Sequence, residues 1–327
     1  MTLLKRLAVP DRHVVRQAIS AAGYATAAKP SGPALQVPKI NRERLMQDLH
    51  YTCQWGEAYP YEISSSASEE ERAADKSTWT GMRRLTLDDN DKKARDWFVE
   101  ETRKLGCHVS WDNMGNITAV RPDRNGKISS AYESGNLNGD VSPPTAMGSH
   151  LDTQPAGGRY DGILGVHAAV EAMKTMNEAN IQTAFPTAIV NWTNEEGARF
   201  PRSVLSSGVW AGLIPLEEAW TLKEVPSLAK DGANLQTFKS ELERIGYLGQ
   251  AECSYKTRPL AAHFELHIEQ GPMLKSAGKS VGVVQGGQAY LWATVNIIGK
   301  AAHTGSTPWS NRVDALQCAA HALSKSG

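Results

Sequence analysis

Between residues 87 and 192, short apolar segments alternate with helical ones, and this alternation constrains the fold more than any other feature of the sequence. The segments with strand character are 108–111, 116–120, 146–151 and 187–192, and those with helical spacing are 87–106 and 165–180. Strands that alternate with helices predict an α/β fold with a mostly parallel sheet flanked by helices. Ligands of such sheets bind at the carboxyl ends of the strands.

The segments outside this region predict three domains. We expect an N-terminal extension at residues 1–40, a main domain at 41–287 and the beginning of a smaller α+β domain at 288–327. The main domain also has a strand pattern at 264–268, and the smaller domain begins with a strand at 289–298 and a helix from about Asn311. The extension is basic and rich in alanine, which resembles a mitochondrial presequence and leaves a mitochondrial or a cytoplasmic location open.

Composition excludes several classes of function. The formal net charge is +0, with 35 basic and 35 acidic residues, so the positive field that nucleic acids require is absent. No apolar stretch reaches the roughly 20 residues of a membrane-spanning helix. Because the four cysteines are scattered and form no CxxC pair, a cysteine-rich zinc site is not expected.

Three segments combine metal-binding side chains with glycine-flanked turns next to strand ends. They are Gly148-Ser-His-Leu-Asp-Thr, Gly158-Arg-Tyr-Asp-Gly and Thr193-Asn-Glu-Glu-Gly. His150 and Asp161 could bind one divalent ion, with Asp152 holding the imidazole in place. Of the adjacent Glu195 and Glu196, one could bind metal while the other acts as general base and acid. Each residue alone has an ordinary structural explanation, whereas their order and placement together favour a metal site.

His263 and His267 are four residues apart, as in a helical zinc motif. That motif requires a glutamate directly after the first histidine, where this sequence has Phe264. Apolar and polar residues also alternate here with the period of a strand. We therefore reject the helical motif and retain His267 as a single candidate ligand.

Five motifs in order resemble the M20-type zinc amidohydrolases, over a region from about Thr80 to Gly327. They are His150-Leu-Asp-Thr, Tyr160-Asp-Gly, Asn194-Glu-Glu-Gly, Leu266-His-Ile-Glu-Gln-Gly and the segment from Gly299 to Pro308. Within that family, the His-Ile-Glu-Gln-Gly segment is similar to the branch of N-carbamoyl-L-amino-acid hydrolases, β-alanine synthase and allantoate amidohydrolase. The resemblance implies a Zn-exopeptidase-like catalytic domain, incomplete in this chain, followed by a truncated dimerisation domain.

The resemblance also implies a role for each site residue. His150 and His267 would bind one Zn²⁺, Glu196 the other, and Asp161 both, so that each subunit holds two Zn²⁺ ions, with Mn²⁺, Co²⁺ or Ni²⁺ as alternatives. Asp152 would support His150, and Glu195 would act as general base. Gln270 and His303 would bind the substrate, His303 as a catalytic group that reaches the partner subunit of a homodimer. The final metal-binding histidine of the family is expected after Gly327.

The expected reaction is hydrolysis of an N-carbamoyl amino acid, with N-carbamoyl-β-alanine placed first on the resemblance around Thr80-Gly-Met-Arg-Arg-Leu. Neither nucleic acid nor membrane is an expected partner. Three alternatives stay open: an allantoate amidohydrolase, an aminoacylase or peptidase of the same family, and a truncated, catalytically inactive fragment.

Overall fold

A computed structural model describes residues 37–60, 80–129, 132, 142–232, 234–287 and 295–325. These residues belong to two compact units, one that ends at Ile268 and one that begins at Glu269. The three predicted domains, with their boundary near residue 287, remain a prediction. Nearly all of the predicted N-terminal extension and most of the strand predicted at 289–298 lie outside the described residues.

The first unit contains seven strands and six helices among its described residues. The strands are β1 (Glu57–Pro60), β2 (Thr80–Met82), β3 (His108–Trp111), β4 (Ile117–Arg121), β5 (Thr145–His150), β6 (Thr187–Trp192) and β7 (Ala262–Phe264). The helices are α1 (Arg42–Cys53), α2 (Asp89–Lys104), α3 (Ile163–Glu178), α4 (Leu205–Trp210), α5 (Leu216–Thr221) and α6 (Phe238–Ile245). The described part of the second unit contains α7 (Met273–Ser276), a 3-10 turn (Trp309–Asn311) and α8 (Ala315–Lys325).

Five of the strands form one mixed sheet in the order β3-β4-β6-β5-β7. Strand β5 runs parallel to β6 and β7, whereas β4 is antiparallel to β3 and β6. The α/β class is confirmed, and the sheet is mixed, because β4 runs opposite to the other four strands. Apolar periodicity reports which face of a strand is buried and carries no information about its direction. The short connection between β3 and β4 makes those two strands an antiparallel hairpin.

Strand β7 is shorter than the sequence pattern predicts. It pairs with β5 only from Thr145↔Ala262 to Met147↔Phe264, and residues 265–268 leave the sheet. The alternation at 263–269 therefore continues past the last paired residue. As a result, His267 lies on an irregular segment beyond the strand end.

Alternate residues of the strands pack into two separate cores. Ile117 and Ile189 pack with Phe98 of α2 and Val166 of α3 in the larger core. Their neighbours along the strands, such as Val190, pack on the other face in a smaller cluster. Burial on both faces fixes the register of the central strands, and with it the positions of the loops at their carboxyl ends. In the described parts of the chain, no helix combines the length and apolar character needed to cross a bilayer.

Candidate metal centre

The loops after β5, β6 and β7 meet at one edge of the sheet. His150 is the last residue of β5 and pairs with Trp192, the last residue of β6. Since these strands are parallel to one another, their carboxyl ends open toward the same side. The segments that follow carry the metal-binding side chains that the sequence pattern singled out.

His150, Asp161 and His267 form a cluster that could hold a metal ion. One ligand atom from each residue lies within 4.8 Å of the others. Nε2 of His267 is 3.0 Å from Oδ1 of Asp161, and the two imidazole centroids are 6.2 Å apart. His150 is buried, Asp161 is half-buried and His267 is exposed, so the cluster opens to solvent on one side. Two imidazoles and a carboxylate suit zinc and similar divalent ions.

Two glycines allow these segments to approach one another closely. Gly162 has φ +66°, and a Cβ atom at this position would lie 2.3 Å from Cε1 of His150. A Cβ atom at Gly165 would lie 2.5 Å from the carbonyl oxygen of Leu266, in the segment that carries His267. The start of α3 can therefore lie against both histidine-bearing segments only because these two residues lack side chains.

Hydrogen bonds hold the imidazole of His150 and join two loops. Nδ1 of His150 is 2.8 Å from the backbone carbonyl oxygen of Asp152, while the nearer carboxylate oxygen of Asp152 is 3.9 Å away. The Asp152 carboxylate instead accepts hydrogen bonds from the backbone N–H groups of Glu195 and Glu196, at 3.4 and 3.3 Å. Asp152 thus holds the ring through its main chain and the β6 loop through its side chain.

Glu195 and Glu196 have different surroundings although they are adjacent. Oε2 of Glu195 is 3.4 Å from Nε2 of His150. Oε2 of Glu196 accepts a hydrogen bond of 2.7 Å from the amide of Gln154, a residue that no sequence pattern singled out. Oε1 of Glu196 is buried and has no hydrogen-bond partner among the described residues. A buried carboxylate oxygen normally has a partner, and a metal ion would provide one here.

The electrostatics of the site also favour a bound cation. Burial raises the pKa of Glu195 and of Glu196, and neighbouring carboxylates raise both further. Burial lowers the pKa of His150, but the charges of Asp152 and Glu195 outweigh it and the net shift is upward. The hydrogen bond to Asp161 raises the pKa of His267 to about 9. A metal cation that replaced the proton of His267 would offset the negative charge of the clustered carboxylates.

Gln270 and His303 belong to the second unit. His303 Nδ1 accepts hydrogen bonds from the backbone N–H groups of Gly305 and Ser306, both at 3.1 Å. Because both bonds point into Nδ1, the neutral ring carries its proton on Nε2. The roles of Gln270 and His303 toward a substrate remain predictions.

Similarity to known proteins identifies the family. The profile of peptidase family M20/M25/M40 matches residues 146–327. The chain is 41% identical over 235 residues to an N-carbamoyl-L-amino-acid amidohydrolase of Rhizobium meliloti. This alignment covers 72% of the chain and 51% of the relative. The chain is 33% identical over 243 residues to an N-carbamoyl-L-amino acid amidohydrolase of Geobacillus stearothermophilus, covering 74% and 54%.

A solved structure agrees with this similarity. The crystal structure of a hydantoinase/carbamoylase family amidase from Burkholderia ambifaria superposes with a TM-score of 0.64 and 34% identity, covering 88% of this chain and 60% of that one. The chain spans about half of the length of the curated relatives that it matches. On its profile match and these similarities, the chain belongs to peptidase family M20/M25/M40, in the hydantoinase/carbamoylase branch.

Proposed function

We propose that this chain carries the metal-binding half of a hydrolase that cleaves the linear C–N bond of an N-carbamoyl amino acid. Water and the substrate would give the amino acid, ammonia and carbon dioxide. The observation that supports this most directly is the cluster of His150, Asp161 and His267 at the strand ends, with Glu195 beside it. The names of the curated relatives supply the substrate class.

The residues of the cluster divide into two sets of ligands in this proposal. His150 and His267 would hold one ion, Glu196 would hold a second through its unpartnered oxygen, and Asp161 would contact both. Zinc is our first choice of metal, with Mn²⁺, Co²⁺ and Ni²⁺ as alternatives. When bound, such ions lower the pKa of a coordinated water and polarise a carbonyl group.

Glu195 has the position of a general base in this site. Its carboxylate faces the cluster at 3.4 Å from His150, and its backbone N–H is held by Asp152. It would accept a proton from water and return it to the departing nitrogen. Catalytic contact of His303 with the substrate, substrate binding by Gln270 and a homodimer are further parts of the proposal, and they rest on the family resemblance alone.

The choice of amino acid is the finest part of the proposal. The segment from Thr80 to Leu85 resembles the β-alanine synthase and L-carbamoylase group, which places N-carbamoyl-β-alanine first. The names of the two curated relatives specify N-carbamoyl-L-amino acids instead. Comparison of kcat/KM for N-carbamoyl-β-alanine and N-carbamoyl-L-amino acids distinguishes the two.

The test is ammonia release by the zinc-loaded chain and by two glutamate variants. Glu195→Gln should reduce kcat by roughly 10²–10⁴-fold without loss of bound zinc, because it removes the base and no metal ligand. Glu252→Gln, which changes an exposed glutamate outside the site, should leave kcat unchanged. The proposal is wrong if the zinc-loaded chain hydrolyses no N-carbamoyl amino acid, or if Glu195→Gln is as active as Glu252→Gln.

A further inference from the structure

Arg84 is a fully buried cation two residues after the end of β2. All three nitrogens of its guanidinium group donate hydrogen bonds to backbone carbonyl oxygens. They contact Trp55 at 2.8 Å, Leu151 at 3.3 Å and Thr52. Among the described residues, no carboxylate forms an ion pair with Arg84. Since burial of a cation is costly unless its hydrogen bonds are satisfied, the contacts of Arg84 with the three carbonyls require a specific path of the main chain.

One of these carbonyls belongs to the loop that carries the metal site. Leu151 lies between His150, a candidate ligand, and Asp152, whose carbonyl oxygen is 2.8 Å from Nδ1 of His150. The backbone of Arg84 binds the same loop, because Thr153 N–H donates to its carbonyl oxygen at 2.8 Å and its own N–H donates to Thr153 Oγ1 at 2.9 Å. Residues 151–153 are thus held by both the side chain and the main chain of Arg84.

The other two carbonyl oxygens that Arg84 contacts lie at or just after the carboxyl end of α1. Thr52 belongs to α1, and Trp55 follows it by one turn. Arg84 therefore joins the end of a helix to the loop after β5. The planar guanidinium group presents its donors in a fixed geometry that a lysine ammonium group cannot reproduce.

We infer that Arg84 is a positioning residue of the metal centre, which fixes the His150–Asp152 loop against the end of α1. The metal-binding part of this inference rests on the proposed function. In this inference, Arg84 acts through the fixed geometry of its guanidinium group and not through its charge alone. If Arg84 acted through its charge alone, its removal would strengthen the binding of a metal cation nearby, because two positive charges repel each other. If Arg84 acts by fixing the loop, its removal weakens metal binding.

Two substitutions separate geometry from charge. Arg84→Lys keeps the charge and loses the planar fork, and Arg84→Met loses both. We expect both variants to bind Co²⁺ at least about tenfold more weakly than the parent chain, measured on folded protein by competition with a chromophoric chelator. In the metal-free chain, amide hydrogen exchange of residues 151–157 should be faster in both variants, with no change in β6.

Arg121→Lys is the matched control. Arg121 is also buried and donates to Asn177 Oδ1 and to the carbonyl oxygen of Ile181, but it pairs with Thr187 at the opposite edge of the sheet. This variant should leave Co²⁺ affinity and exchange at 151–157 unchanged. Thr153→Val removes the hydroxyl that accepts from the Arg84 N–H and donates to the carbonyl oxygen of Gln154. It should accelerate the same exchange, and Thr153→Ser, which keeps the hydroxyl, should restore the exchange rate of the parent. These two variants provide the test if Arg84 variants do not fold.

Several outcomes would overturn the inference. Tighter Co²⁺ binding by Arg84→Met with unchanged binding by Arg84→Lys would show that only charge matters. Lower stability with unchanged affinity and unchanged exchange at 151–157 would show that Arg84 supports the fold and not the site. If the parent chain binds no Co²⁺, the proposed metal site fails, and the exchange measurement on the metal-free chain still decides whether Arg84 holds the loop.

Discussion

Gly162 lies against the imidazole ring of His150 and directly precedes helix α3. It combines a left-handed φ of +66° with a distance of only 2.3 Å between the ring and the position that a Cβ atom would take. Asp161, its neighbour, contributes a ligand atom to the same cluster. At the residue scale, the geometry of the candidate metal site therefore depends on an absent side chain as well as on the candidate ligands.

Gly162→Ala should both destabilise the protein and weaken metal binding. An alanine held at φ +66° and ψ -49° costs about 1–3 kcal/mol, and displacement of His150 adds to this cost. We expect the free energy of unfolding in urea to fall by at least about 2 kcal/mol, with weaker Co²⁺ binding. Gly158→Ala is the control in the same loop, since no atom lies within 4 Å of its added Cβ. Equal behaviour of the two variants would contradict this explanation.

The sequence singled out the candidate ligands more readily than the residues that contact their segments. His150, Asp161 and the Glu195-Glu196 pair were recognisable because each follows a strand end in a glycine-flanked turn. Arg84 and Gln154 were not, because their contacts join segments that are far apart in the chain. A buried arginine that binds only carbonyl oxygens looks like any surface arginine in a sequence.

At the scale of elements, strand direction could not be predicted. The segments that became β3 to β6 were correctly placed to within a residue or two, because short apolar, β-branched runs between turn residues are visible in the sequence. Their order and the antiparallel β4–β6 pairing depend on long-range contacts. The sequence also overestimated β7, since alternation continues at 265–268 after pairing with β5 has ended.

Two of the ion pairs of helix α2 that join residues four apart should differ in energy. Asp91 and Arg95 are buried, with side-chain exposures of 0% and 1%, whereas Asp96 and Lys92 are 50% and 41% exposed. Arg95→Met should lower the free energy of unfolding by about 3–5 kcal/mol, because Asp91 is left buried without its partner. Lys92→Met should change it by less than about 1 kcal/mol. Similar losses in urea denaturation of both variants would contradict this assignment.

Helix α3 contains a buried histidine that should make stability depend on pH. His167 stacks on Trp97 and contacts Thr52 Oγ1 at 2.9 Å. Burial lowers its pKa to about 3. Because the folded pKa lies below the unfolded value of about 6.5, its neutral form stabilises the fold above pH 6.5, and that contribution is lost as the pH falls toward 3.

The difference between the parent chain and His167→Phe isolates this effect. Between about pH 6 and pH 4, the parent should lose about 1.4 kcal/mol per pH unit more than the variant, the value for one proton. Denaturant unfolding of both metal-free proteins across this range measures the difference. Parallel stability curves would show that His167 is not the group responsible.

At the scale of the whole molecule, the candidate metal-binding residues come from the segments at the carboxyl ends of β5, β6 and β7 in the first unit. His150, Asp161 and His267 span more than a hundred residues of sequence, and the parallel arrangement of β5, β6 and β7 brings their segments together. The chain spans about half of the length of the curated relatives that it matches. The central claim is that this part of the family's sequence already holds a divalent ion.

The measurement that tests this claim most directly is zinc content per chain, by elemental mass spectrometry after dialysis of the zinc-supplemented protein. His263→Ala is the matched control, since His263 lies four residues from His267 and contacts Trp192 at 3.3 Å instead of the cluster. We predict at least one zinc ion per chain in the parent and in His263→Ala, and a clear loss in His267→Ala. A parent chain without zinc, or a His267→Ala variant that retains as much zinc as the parent, would contradict the claim.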